Sequence, residues 1–415
     1  MLAGLAPPAW GQGTKPAPSP GISLVGEATL GADADGLLAA GRALSPTLRA
    51  TALDSDAAAA RASGADALDD PTITDNYQYY RDPGVFSAHT VMLSQAFPLW
   101  GKRSLRRTAA LADLDASRGR ERTARDELDE KIKDAFAQYY LTVRAIGINQ
   151  EIIGLDRRIR EAAAARYGQG GGEQVTVLQA EDEETAGRQE SIRLAGEKDA
   201  LCARLNALIG RPADAPLASP RRPRVLPAAV PTLKVLLMRA LTDNPTLAAG
   251  NAAIDAARAR RTLADRAWYP DVTVAAGPII QTNNMPAGFA ATLGLNVPLP
   301  WGREAAGQRE AAAELAASRE RYDAARLEVE GALGEALARL RAARAAEALL
   351  RREAVPQAQA GFRSALAAYG QGRADLAAAI EAARRIHEVA LRRLQAQLDA
   401  QVQLAAIERL VGGDL

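Results

Sequence analysis

The chain has 415 residues, with 51 Lys and Arg against 50 Asp and Glu, and only 4% of its residues are aromatic. That balance leaves no concentrated basic face and excludes a nucleic-acid binder. No stretch approaches the ~18 apolar residues of a membrane-spanning helix, so any membrane crossing must be made by strands.

Residues 1–31 read as the remnant of an apolar signal segment, with Ala9 and Gly11 before a candidate cut, followed by an extended arm. The basic start of a signal peptide is missing, and with no cysteine after it a lipid anchor there is excluded. Residues 32–210 form a first unit. It opens with a helical stretch to about residue 68, interrupted at Ser45-Pro46 and closed before Pro71. Two strands follow, about 72–80 and 87–97, joined across Arg81-Asp82-Pro83-Gly84. Their alternation is imperfect, because His89 and Gln95 share a face with Val91 and Leu93.

Pro98, Trp100 and Gly101 mark the change from strand to helix. From 102 to 167 a helical period is continuous, and Leu128, Ile132, Phe136, Tyr139, Val143 and Ile146 recur at spacings of four and three, as a heptad seam requires. At 1.5 Å per residue this is a rod of roughly 100 Å. Tyr167-Gly168-Gln169-Gly170 ends it, and a shorter helix spans 175–209.

A proline-bearing linker, 211–231, leads to a second unit, 232–412, which repeats the order of the first. A helix interrupted at Asn244-Pro245 stops before Pro270. A strand pair covers about 271–299, and Phe289, Ala291, Leu293, Leu295, Val297 and Leu299 alternate with small and polar residues, as in a tilted membrane strand of ~9 to 11 residues. Pro298, Trp301 and Gly302 repeat the junction. A helix over 303–369, proline-free but for Pro356, ends at Tyr369-Gly370-Gln371-Gly372, and a last helix spans 375–411. Landmarks separated by a nearly constant offset of about 200 residues indicate duplication of one unit.

Four strands per chain would leave two open edges in lipid, which the hydrocarbon core does not tolerate. Head-to-tail copies must close them, giving eight or twelve strands for two or three copies.

Ser94 to Arg103, Arg166 to Gly170 with Val177-Leu178-Gln179-Ala180, and Ala203 to Gly210 resemble the TolC-like outer-membrane efflux proteins, over roughly 32–412. The Pro98-Leu99-Trp100-Gly101-Lys102-Arg103 form and Tyr369 to Leu376 look most like the heavy-metal branch of the CzcC and CusC type. The resemblance implies a mainly α protein with a membrane β part, in which a trimeric 12-strand barrel continues into a helical coiled-coil barrel. It implies a homotrimer in the outer membrane of a Gram-negative bacterium that extends into the periplasm. It also implies a periplasmic adaptor and a proton-driven inner-membrane RND pump as partners, and a passive duct that is not an enzyme. Drugs, solvents or a type I secretion substrate are alternative cargoes.

By the same resemblance Gly168, Gln169, Gly170, Gly370, Gln371 and Gly372 would touch the adaptor, beyond the reversal that glycine permits. Glu173, Arg373 and Asp375 are the charges near the inner mouth that would form a gate, although a charge at a helix end also serves the helix dipole. Trp100 and Trp301 fit either an interfacial aromatic belt or packing under the junction. The acidic run Glu181 to Glu184 fits a wetted helix face, or a cation-favouring mouth.

Cys202 reads as a small buried side chain, and His387 as structural. With His89 and His387 far apart and no His/Cys cluster, neither a metal site nor any other cofactor is expected. A soluble coiled-coil scaffold would explain the rods but not the strand pairs. An enzyme reading lacks a phosphate loop, a nucleophile elbow and an acid/base pair.

Overall fold

The computed structural model describes residues 30–78, 87–170, 173–281 and 286–415. The arm over 1–29, the ends of the first strand pair at 79–86, Gly171-Gly172 and the loop at 282–285 lie outside them. Helix α1, Ala34–Leu44, starts at Asp33, whose carboxylate accepts the Gly36 amide and so satisfies one free N–H of the first turn. Ser45-Pro46 ends it and starts α2, Pro46–Gly64. The second half repeats the break: α5, Leu233–Asp243, gives way at Asn244-Pro245 to α6, Pro245–Asp265. Proline suits the first turn because that amide has no partner in a helix.

The rods are α3, Lys102–Gly168, with α4, Gln174–Leu208, and in the second half α7, Arg303–Leu349, with α8, Val355–Gly370, and α9, Leu376–Val411. One continuous helix over 303–369 is corrected in one respect. A single π turn, Leu350–Ala354, separates α7 from α8 immediately before Pro356. Proline cannot donate into the ladder and clashes with the carbonyl four residues earlier, and the widened turn absorbs both faults without breaking the rod.

Strands β1 (Thr72–Gln78), β2 (Ala88–Phe97), β3 (Asp271–Gln281) and β4 (Gly288–Asn296) form one antiparallel sheet in chain order. The fourth strand stops three residues short of the expected 299, at the segment holding Pro298 and Pro300, neither of which has an amide to give a neighbour. Within the β2–β3 ladder Thr90 faces Ile279 and Leu93 faces Ala276. Between these pairs lies Gly277, where a Cβ would stand 1.8 Å from the Val91 carbonyl oxygen.

Three cores hold the helices together. Leu37, Ile132, Phe136, Tyr139, Leu205 and Ile209 join α1, α3 and α4. Leu236, Leu333, Leu337, Leu340, Ile407 and Val411 join α5, α7 and α9. Their members are related by offsets near 200, as Ile132 is to Leu333 and Phe136 to Leu337. A third core, with Ile159, Ala163, Phe362, Tyr369 and Ile380, binds the far ends of the two hairpins to each other.

Both shorter helices end against the proline breaks. Gly210 and Gly412 adopt left-handed backbones, and a Cβ there would meet the Leu44 carbonyl oxygen at 2.9 Å and that of Asp243 at 2.4 Å. Asn244 caps the Leu247 amide and donates to the Leu410 carbonyl at 2.8 Å.

A buried ion network crosses between the halves at this level. The Glu408 carboxylate accepts from Lys133 at 2.7 Å and from Arg224 at 2.8 Å. Lys133 also donates to Asp414.

Candidate functional site

The sheet has two unlike faces. Ladder register places Ile73, Asp75 and Tyr77 beside His89, Val91, Leu93, Gln95 and Phe97, then Val272, Val274, Ala276, Pro278 and Ile280, then Phe289, Ala291, Leu293 and Leu295. The large apolar members of this face lie open: Phe289 is 73% exposed, Ile73 72% and Leu293 71%. The opposite face carries Thr72, Thr74, Asn76, Thr90, Ser94, Thr273, Thr292 and Asn296 among alanines and glycines, with Met92 and Ile279 as its large apolar members. An apolar exterior over a small, polar interior is the pattern of a membrane barrel wall around a wet lumen.

Asp75 and His89 interrupt the apolar face as a pair 3.3 Å apart, with the Tyr77 ring stacked on the imidazole at 4.4 Å. Gln95 turns its amide to the Asp69 carbonyl. The imperfect alternation of the first pair thus consists of polar groups that bond to one another or to the backbone.

The two junctions have similar sequences, Pro98-Leu99-Trp100-Gly101-Lys102 and Pro298-Leu299-Pro300-Trp301-Gly302-Arg303, but not the same surroundings. Around Pro98, the Lys102 ammonium donates at 2.8 Å to both the Tyr269 carbonyl and the Asp271 carboxylate, and the Leu99 amide donates to Asp271 at 3.0 Å. The Trp100 indole donates to the Pro270 carbonyl at 2.8 Å and its ring lies 5.4 Å from that of Tyr269. Arg266 donates to the Trp100 carbonyl. Trp100 and Gly101 both have left-handed backbones. The strain at Trp100, a non-glycine residue, is held by this set of bonds. Around Pro298 none of these partners exists among the described residues: Trp301 is 86% exposed, and nothing lies within 4 Å of a Cβ placed on Gly302.

At the far end, Gly170 and Gly372 close α3 and α8 with φ of 74° and 73°. The Gly170 amide bonds back to Tyr167 and the Gly372 amide to Tyr369. Gln169 and Gln371 cap the helices through their amides, and Gly168 and Gly370 are the last helical residues. A Cβ on Gly168, Gly170 or Gly370 would meet nothing within 4 Å.

Glu173 and Asp375 precede α4 and α9 without capping them through their side chains. Neither these two nor Arg373 forms an ion pair with another described residue. The contact between the tips is made instead by Arg166, which donates to the Tyr369 carbonyl at 3.2 Å and lies 4.8 Å from the centre of its ring. Sequence reasoning missed it, though a signal was present: arginine precedes Tyr167 where alanine precedes Tyr369.

The acidic run is divided rather than uniformly wetted. Glu184 is buried among Arg188, Arg160 and Arg157. The hydrogen bond from Arg188 leads in holding its carboxyl below the usual range. Glu183 pairs with Arg384 across the hairpins. Beside them, burial and then the charges of Glu183 and Glu184 push Asp156 up to about 6. Further along α3, burial and then Glu130 push Asp134 up to about 7. No group of three or more His, Cys, Asp or Glu that could hold a metal ion occurs among the described residues.

The sheet and rods define a class, a membrane β wall continued by long helical hairpins. The family model described as outer membrane efflux protein matches residues 37–211 and 236–413. The chain belongs to that family, whose members are outer-membrane channels and not enzymes. Its fold is similar to that of the outer membrane protein VceC from Vibrio cholerae, at 19% identity and TM-score 0.78 over 92% of this chain and 96% of that one. A membrane protein from Pseudomonas aeruginosa is similar at 21% identity and TM-score 0.80, over 91% and 93%. CusC is similar at 16% identity and TM-score 0.79, over 93% and 94%. No curated protein sequence matches it.

Proposed function

We propose that three copies of this chain close a 12-strand barrel and a helical tunnel, forming the exit duct of a tripartite efflux system. The observation that carries this reading is the sheet: one face exposes apolar side chains, the other is mainly small and polar, and the edges β1 and β4 are open. Three copies of four strands make twelve, and closure satisfies the edge groups that lipid cannot. The tips around Gly168–Gly170 and Gly370–Gly372 are the surfaces offered to a periplasmic adaptor, behind which an RND pump would supply the energy. Glu173, Arg373 and Asp375 stand where charges would meet those of neighbouring subunits and constrict the mouth. Heavy-metal cations are the proposed cargo, on the wording of the Pro98 to Arg103 and Tyr369 to Leu376 segments.

The test is extraction of the protein from outer membranes, its oligomeric mass, and conductance of the same sample in planar bilayers. A pore-forming trimer is expected, and a non-conducting soluble monomer or dimer would overturn the reading. Deletion should sensitise the source cell to heavy-metal cations. Sensitisation to drugs or solvents alone would remove the cargo assignment and leave the channel.

A further inference from the structure

The unlike surroundings of the two junctions specify the seam between subunits. Inside one chain, the first junction locks onto the strand entrance of the second half: Lys102 and the Leu99 amide grip Asp271, and the Trp100 indole covers Pro270. The second junction has the same chemistry, with Trp301 and Arg303 in place of Trp100 and Lys102. It lies beside the open β4 edge and finds no such partner among the described residues. At the other edge, the β1 entrance presents Asp69, Asp70 and Pro71, all exposed. Among the described residues Asp70 and Arg303 have no ion pair or side-chain hydrogen bond. An unpartnered arginine and aromatic at one edge complement an unpartnered carboxylate at the other.

Ladder register makes the correspondence quantitative. Residues of β2 and β3 pair so that their numbers sum to 369, as in Phe97 with Val272. The pairs Thr72–Ser94 and Asp271–Asn296 fix the two hairpins. Matching Pro98 to Pro298 moves β2 onto β4 by 200. The hairpin registers then move β1 onto β3 by 201, since 166 for the first pair becomes 567 for the second. This places Asp70 on Asp271. A shift of one would turn the apolar side chains of β4 inward, so parity excludes it.

From this correspondence we infer that β4 of one subunit pairs with β1 of the next so that residue numbers sum to 368, with Arg303 clamped on Asp70 of that second copy. Asn296 then faces Thr72 on the lumen side and Leu295 faces Ile73 on the lipid side. The Trp301 indole covers the neighbouring Asp69 carbonyl and Leu68, as Trp100 covers Pro270 and Tyr269. The extra residue Pro300 lengthens the second junction, and arginine, longer than lysine, spans the added distance. This inference rests on the trimeric channel reading and adds its seam.

Two measurements test it in full-length protein carrying Cys202→Ala. Thr72→Cys with Asn296→Cys is expected to give disulfide-linked trimer under oxidation, whereas Thr72→Cys with Thr292→Cys, four residues out of register, is not. Cross-linking only in the shifted pair would overturn the register. Separately, Asp70→Arg and Arg303→Asp are each expected to reduce detergent-stable trimer by about tenfold, because each places like charges at every seam. The double variant is expected to restore it. Trimers indifferent to either single change, or singles that fail without rescue in the double, would overturn the clamp. Parent protein that forms no trimer would instead remove the channel reading itself, so the two failures are distinguishable.

Discussion

Glu408→Ala removes the carboxylate at the centre of the buried ion network. The Glu408 side chain is 3% exposed, and its partners Lys133 and Arg224 are 5% and 15% exposed. Breaking a buried pair costs about 3–5 kcal/mol, chiefly because the remaining charge is left without compensation. Here two cations are left, but Lys133 keeps Asp414 at 2.5 Å, which sets the expectation at the lower end, about 3 kcal/mol. Unfolding entropy of about 2.1 cal/mol/K per residue over 415 residues gives roughly 0.9 kcal/mol/K, so Tm should fall by roughly 3–4 °C.

The assay is thermal unfolding of detergent-solubilised protein followed by helical circular dichroism. Glu190→Ala is the control, since its partner Arg193 lies 60% exposed and such pairs contribute below about 1 kcal/mol. Glu408→Gln should fall between the two, retaining one acceptor oxygen and the side-chain volume without the charge. If Glu408→Ala unfolds no earlier than Glu190→Ala, the network does not stabilise the fold and the reasoning fails.

Asp134 yields a pH test. Its carboxyl is raised to about 7, so between about pH 4 and 7 the folded chain binds the proton that the unfolded chain has released. Stability therefore falls as pH rises through that window, and the penalty is complete above it. Asp134→Asn should stabilise the protein at pH 8 by about 1–2 kcal/mol after allowance for solvent screening, and not at pH 4; equal effects at both would refute the assignment. At Gly277, alanine drives a methyl into the Val91 carbonyl, so membrane-inserted protein should be lost while the helical signal of the extracted chain persists. Gly372→Val forces a β-branched residue into a left-handed backbone; trimers should persist and transport should cease, and full transport would exclude the tip from coupling. Neutralising Glu173, Arg373 and Asp375 together should raise single-channel conductance, and unchanged conductance would count against a gate.

Much of the fold is legible in the chain because it is local. Proline at 46 and 245, the glycines after each rod and the strict period of Leu128 through Ile146 act within a few residues of where they stand. The π turn was not legible, since Pro356 permits a kink, a break or a widened turn, and neighbouring helices choose among them. At the tips the glycines were legible, whereas the Arg166–Tyr369 contact depends on two segments about two hundred residues apart. The acidic run shows the same limit: composition counts four carboxylates, and only packing buries Glu184 among three arginines.

The sequence by itself determined a duplicated unit, with strands of membrane length feeding long rods, because hydrophobic period and backbone punctuation are written residue by residue. Tertiary structure alone decided what each copy of a motif touches. Trp100 and Trp301 stand in nearly identical words, yet one is fastened to Pro270 and the other lies bare. The physical reason is sheet order: β2 has β3 on its far side within the chain, whereas among the described residues β4 pairs with β3 alone and its outer edge is open.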